Sequence, residues 1–191
     1  MEPARKAPLI VLSGPSGVGK TTVVDALLKQ STLPLRRGIT ATSRAARLGE
    51  VDDRDYHFWS VERFKEAIAA GQMLEHAFVH TDFYGTPRSE VDGWREKGVG
   101  VILVIDVQGA EHVRDLYPRD HCSIFLTVPV KGMLRDRLEY RGDSEAKIQI
   151  RLQTAERELL RTGEFDCVVV NDDLPTAIRD LTAIIEPLFQ H

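Results

Sequence analysis

A chain of 191 residues with 42% hydrophobic and 28% charged side chains has the length and composition of one globular domain with a sizeable core. Its net charge of −4 excludes a general nucleic-acid binder, which would be basic overall, but leaves room for local basic pockets. No apolar stretch approaches the length of a membrane span, and Met1–Lys6 leads into none, so a cytoplasmic protein with a short leader is expected.

The first apolar run, Leu9–Leu12, predicts a buried strand, and Thr22–Leu28 predicts a helix. Between them stands Gly14-Pro15-Ser16-Gly17-Val18-Gly19-Lys20-Thr21. Strand, glycine loop and helix in that order are the context a phosphate-binding loop requires. The glycines let several backbone N–H groups converge on one centre, and the helix N-terminus adds partial positive charge there. Lys20 supplies a full charge for the β- and γ-phosphates, and Thr21 a hydroxyl for a magnesium ion.

Leu33-Pro34-Leu35 then breaks the pattern, and residues 36–47 are rich in hydroxyl and guanidinium groups. Tyr56–Trp59 predicts a strand, and Ser60 caps a helix from Val61 to Ala70 that Gly71 ends. Met73–His80 predicts another strand, Thr81–Pro87 a turn, and Arg88–Lys97 a polar helix. Val101–Asp106 is an apolar strand ending in an acid, the arrangement that puts a carboxylate at the nucleotide crevice and near a magnesium shell. A helix over Gly109–Leu116, a strand over Cys122–Val128 and a helix bearing Arg135, Arg137 and Arg141 follow. Gly142-Asp143-Ser144 precedes a long helix, Glu145–Leu160, with Ile148, Leu152, Ala155 and Leu159 on one face. Cys167–Val170 is a fourth buried strand, and Asp173 caps a last helix. Cys122 and Cys167 lack metal-ligand spacing and read as buried, reduced thiols.

Apolar strands alternating with helices predict an α/β fold, a parallel sheet covered by helices on both faces. The core comprises 8–35, 91–129 and 151–191. Residues of about 36–90, with shorter strands and more charge, form a small inserted lobe, and about 130–150 a lid over the crevice. In the lobe, Arg44, Arg47, Tyr56 and Tyr84 are donors suited to a phosphate. Glu75 lies in an apolar setting and can accept two parallel hydrogen bonds, such as guanine offers at N1–H and its 2-amino group. Thr40 and Thr86 can donate to O6 and N7. Together these residues point to a second nucleotide site beside the phosphate loop.

The chain resembles the guanylate kinases over residues 8 to 189. The resemblance rests on the phosphate loop, Gly49-Glu50-Val51-Asp52 with Asp55-Tyr56-His57-Phe58, Tyr84-Gly85-Thr86-Pro87-Arg88-Ser89, Ile105-Asp106-Val107-Gln108-Gly109 and Val170-Asn171-Asp172-Asp173. It implies a P-loop core with a GMP-binding lobe and a lid, both closing on the substrates ATP and GMP. It further implies that Arg44, Arg47, Tyr56 and Tyr84 hold the GMP phosphate and that Thr40, Glu75, Thr86 and Asp106 read the guanine. Lys20, Arg137 and Arg151 would surround the transferred phosphoryl group, Arg141 would contact ATP, and Asn171 would lie near the adenine. Magnesium would accompany ATP, with Thr21 and Asp106 as its candidate ligands. No nucleic acid or membrane partner is implied.

The chain departs from the family pattern at three places. Val104 stands where the family usually has Asp, the lid turn Arg141–Glu145 is one residue shorter, and His76 replaces a frequent Trp. Two alternatives are a sugar-phosphate kinase of similar architecture and a guanylate-kinase-like interaction module without catalysis. Glu75 and the phosphate donors of the lobe argue against the first, and the intact phosphate loop against the second.

Overall fold

The computed structural model describes residues 6–79, 81–130, 132–140 and 144–190. The elements run β1 (Leu9–Ser13), α1 (Lys20–Gln30), β2 (Leu35–Arg37), β3 (Ala41–Thr42), β4 (His57–Phe58), α2 (Val61–Ala69), β5 (Met73–Val79) and β6 (Asp82–Pro87). After a 3-10 turn at Arg88–Glu90 come α3 (Asp92–Arg95), β7 (Gly100–Val104), α4 (Val107–Leu116), β8 (Cys122–Thr127), α5 (Gly132–Tyr140), α6 (Glu145–Leu159), β9 (Cys167–Val170) and α7 (Leu174–Ile185).

Five strands form a parallel sheet in the order β2-β7-β1-β8-β9. Alternate residues of the central strand feed two cores. Ile10 and Leu12 pack with Val23, Val24, Leu27, Ile178 and Leu181 from α1 and α7. Leu9 and Val11 pack on the other face with Ala110 and Val113 of α4. Burial on both faces explains why β1 reads as an unbroken apolar run. The strand order reverses at β1, so the crevice for a ligand opens beyond its carboxyl end, where the glycine loop begins.

The edges depart from the sequence reading. β2 is a fifth core strand where none was expected; Leu35–Arg37 is a strand because it pairs with Gly100–Ile102 of β7. The core sheet therefore runs to Arg37 before the chain crosses into the lobe. At the other edge β9 is buried on one face only, since Val168 and Val170 are exposed. Cys122 and Cys167 are free, partly buried thiols on neighbouring strands, and burial pushes Cys122 up to about 12. No helix among the described residues is long and apolar enough to cross a membrane.

The lobe is a second sheet, β4-β3-β6-β5, with α2 against it around Ala41, Phe64, Ala67 and Met73. Ser60 caps α2 by accepting from the Arg63 N–H at 3.1 Å. The stretch read as a turn, Thr81–Pro87, is instead strand β6 from Asp82, antiparallel to both β3 and β5. Its Asp, Gly and Pro suggest a turn, yet Gly85 is needed for packing: a Cβ there would stand 2.5 Å from the Glu75 carbonyl oxygen. The polar helix expected over Arg88–Lys97 is a 3-10 turn and the short α3.

Both crossings between core and lobe meet at Glu90. Its carboxylate accepts from Arg36 at 3.0 Å and from the Ile39 N–H at 3.1 Å, and faces His57 Nε2 at 3.3 Å. His57 Nδ1 lies 2.6 Å from Asp53, its ring stacks on Trp59, and Arg36 lies over the Trp94 ring. The hydrogen bond to Glu90 raises the His57 pKa against the opposing effect of burial, and Asp53 adds to the rise. Glu90 itself is held low by His57, Ile39 N–H and Arg36, which together outweigh its burial. The stabilisation from protonated His57 is therefore complete below its ordinary value of 6.5 and is lost as pH rises through the raised folded value. Glu90→Ala is expected to lower stability by about 2 kcal/mol. Denaturant melts of the parent and His57→Gln check the linkage: the parent's advantage should shrink from pH 6 to pH 8.

Candidate active site

The phosphate loop has the backbone its glycines allow. Gly14, Gly17 and Gly19 have φ of 144, 86 and 96°, a region costly for other residues. At Gly14 a Cβ would also fall 2.1 Å from the Leu126 carbonyl oxygen, so the loop must pass that close to β8. Val18 closes the loop through its N–H to the Pro15 carbonyl at 3.2 Å and is fully buried. Gly19 is the N-cap of α1, and Lys20 and Thr21 stand in its first turn. The Lys20 ammonium donates to the Gly14 and Pro15 carbonyls, folded back over the loop.

The loop separates two cavities. One, of about 270 Å³, is lined by Lys20, Thr21, Thr40, Tyr56, Glu75, Tyr84, Val104 and Asp106. The other, of about 520 Å³, is lined by Gly17, Gly19, Asp136, Arg137, Tyr140 and Asn171. The first joins the loop to the lobe sheet, and the second lies against α5. A larger groove between α2 and Arg88, about 710 Å³, contains none of the residues expected to act.

In the first cavity Glu75 is placed by a β-bulge. The register slips between Met73 and Glu75, so Met73, Leu74 and Glu75 are all buried in succession. A bulge re-aims the side chain that follows it. Glu75 is 7% exposed, and its carboxylate accepts from the Thr86 hydroxyl at 2.6 Å. Burial raises its pKa to about 7; the Thr86 hydrogen bond opposes the rise and the Asp106 charge adds to it. Thr86 is fully buried, and its hydroxyl donates to Glu75 and so orients the carboxylate. Asp106 lies beyond the end of β7 and caps α4, accepting from the Gly109 N–H at 2.8 Å. Val104 makes that part of the wall apolar.

The expected phosphate donors are organised by a residue that the composition of the lobe did not single out. Glu50 takes both guanidinium nitrogens of Arg44 at 2.8 and 3.0 Å and the Arg47 N–H at 2.7 Å. Those contacts lift Arg44 well above its ordinary range and hold Glu50 below its own. The Arg44 guanidinium lies 5.3 Å from the Tyr56 ring, and Tyr56 meets Tyr84 edge-on at 6.2 Å. Burial raises the Tyr56 pKa, keeping its hydroxyl a proton donor. The Arg47 side chain is exposed.

From α5, Arg137 donates to the Val18 carbonyl at 2.8 Å and to the Asn171 carbonyl at 3.0 Å. The Asn171 amide donates to the same Val18 carbonyl at 2.7 Å. Both therefore brace the loop from the second cavity. Arg151 is half-buried on α6. Arg141 lies outside the described residues. His76 is exposed, on a strand whose neighbour Glu75 points inward.

The guanylate kinase family model matches residues 6–188. A guanylate kinase of Lactobacillus acidophilus is 43% identical over 184 residues, 96% of this chain and 90% of the relative. One from Thiobacillus denitrificans is 43% identical over 183 residues, 95% and 87% of the two chains. The crystal structure of guanylate kinase from Anaplasma phagocytophilum superposes with a TM-score of 0.81 at 32% identity, covering 98% of this chain and 88% of that one. A shikimate kinase from Bacteroides thetaiotaomicron, at 18% identity and a TM-score of 0.52, shares the fold alone. With loop, lobe and buried carboxylate in the arrangement described, and with matches of this extent, the chain belongs to the guanylate kinase family.

Proposed function

We propose that this protein transfers the γ-phosphoryl group of ATP to GMP, giving ADP and GDP. The observation that carries the reading is a single cavity holding Lys20 and Thr21 of the phosphate loop together with the buried Glu75 of the lobe. The loop receives the triphosphate at its backbone N–H groups, and Lys20 leaves the loop carbonyls for phosphate oxygens as they arrive. Arg44, positioned by Glu50, and the hydroxyls of Tyr56 and Tyr84 hold the GMP phosphate. Glu75, ionised, accepts the paired N–H donors of guanine, an edge adenine lacks. Asp106 and Thr40 complete the base pocket.

The attacking GMP oxygen is already anionic near neutral pH, so the protein has no proton to remove. Its work is alignment and charge stabilisation. Arg137 and Arg151 add positive charge from the lid side, and closure excludes water that would otherwise compete as acceptor. Thr21 and Asp106 offer oxygen atoms to one cavity, the donor type that magnesium requires. When bound, that ion would neutralise charge on the phosphates.

A coupled assay of ADP formation tests the reading, with GMP, AMP, CMP, UMP and a sugar phosphate as separate acceptors. Strong turnover with GMP alone is expected. A folded protein that binds GMP but uses no acceptor would instead be an interaction module, and preference for the sugar phosphate would reassign the lobe.

A further inference from the structure

Two carboxylates are buried among the described residues, Glu75 and Glu158, and the reaction scheme uses only the first. Glu158 lies in the last turn of α6, 9% exposed, and accepts from the Ser16 N–H of the phosphate loop at 3.3 Å. Burial raises its pKa, while the charge of Lys20 and the Ser16 N–H pull it back. Ile148 and Ala155, the other buried positions of this helix, are apolar. An apolar side chain at 158 would continue their stripe without the cost of burying a carboxylate. Glu158 also follows Arg151 by seven positions, two helical turns, so the two share a face about 10 Å apart along the axis.

We propose that Glu158 is a positioning residue for the donor nucleotide. By holding the Ser16 N–H it fixes the opening turn of the phosphate loop against the C-terminal end of α6. Loop donors and the Arg151 face of α6 then meet the triphosphate in one arrangement. The proposal rests on reading the loop as the ATP site, but not on the identity of the acceptor.

Three variants test it. Glu158→Ala and Glu158→Met remove the acceptor, the second with little change of volume, and Glu158→Gln keeps a carbonyl oxygen for the Ser16 N–H. ATP affinity is measured by displacement of a fluorescent ATP analogue without GMP, GMP affinity separately, and kcat/KM for each substrate. The Ala and Met variants are expected to lose about 10- to 100-fold in kcat/KM for ATP, with weaker ATP binding, unchanged GMP binding and most of the loss restored in Gln. Should Ala fail to fold, Met and Gln carry the comparison. A Met variant with parental kcat/KM for ATP would overturn the proposal. So would equal losses for ATP and GMP, or a Gln variant as impaired as Met. A parent that binds ATP but does not phosphorylate GMP would overturn the function proposed above while leaving the ATP-affinity comparison intact.

Discussion

Lys20→Ala is expected to lower kcat by about 10³-fold or more while leaving GMP affinity within about threefold of the parent. The asymmetry follows from where charge develops. In the free protein the ammonium is held by the Gly14 and Pro15 carbonyls at the loop's entrance. Its charge also acts on the Glu158 carboxylate, and phosphate oxygens offer the ammonium ionised acceptors in place of neutral carbonyls. The phosphoryl group in transfer spreads negative charge over oxygens that Lys20 can follow, so its contribution is greatest in the transition state. The GMP phosphate is held on the lobe by Arg44 and the two tyrosines, with Arg44 already fixed by Glu50. Lys20→Arg should not restore the rate, because the bulkier fork cannot occupy a point-charge position against the loop. Single-turnover rates with GMP binding measured by calorimetry check the split. Parallel losses in turnover and GMP affinity would count against separate donor and acceptor sites.

What was legible in the sequence was whatever local chemistry dictates. The phosphate loop declared itself because glycine spacing, Lys20 and the flanking strand and helix carry one meaning. The caps at Ser60 and Asp173 were legible because their side chains satisfy N–H groups within three residues. β2 was not, because Leu35–Arg37 has no strand pattern of its own and exists by pairing with β7. β6 was hidden by Asp82, Gly85 and Pro87, residues that signal turns, whereas here Gly85 admits the close approach of β5. The residues that orient others were equally hidden. Glu50 stood out only as a member of the Gly49–Asp52 segment, and nothing local announced that the Thr86 hydroxyl bonds Glu75. A hint of Glu158 was present: it sits three positions after Ala155 on the buried side of an otherwise apolar stripe. Position 158 was passed over because Leu159 beside it completed the stripe in apolar residues.

Glu75→Gln is expected to cut kcat/KM for GMP by about 100-fold with AMP used no worse than by the parent, and to make the protein more stable at pH 8. Both effects come from one buried carboxyl. Guanine recognition needs the ionised form, which accepts two N–H groups; an amide offers one acceptor and a donor that opposes guanine's amino group. Burial holds the free carboxyl near 7, so GMP must find or create the ionised form. Parental affinity for GMP should therefore fall toward tenfold per pH unit below about 7. The phosphate of GMP titrates near 6 and contributes its own slope to both proteins, so the difference between the parental and Gln profiles isolates Glu75. The stability effect has the opposite sense. A carboxyl whose folded pKa exceeds its unfolded value binds protons more strongly in the folded state, so stability declines as pH rises from about 4.5 and levels off above about 7. That interval corresponds to about 3 kcal/mol, which the neutral amide avoids while still accepting from Thr86. Urea melts at pH 5 and pH 8 should show the Gln variant's advantage opening only at the higher pH. A variant that keeps the parental GMP-over-AMP preference, with an unchanged pH profile for GMP, would remove Glu75 from the role of base reader. The same carboxylate would then be a buried cost with no function in the site, and Thr40 and Asp106 would be the next residues to test for guanine selection.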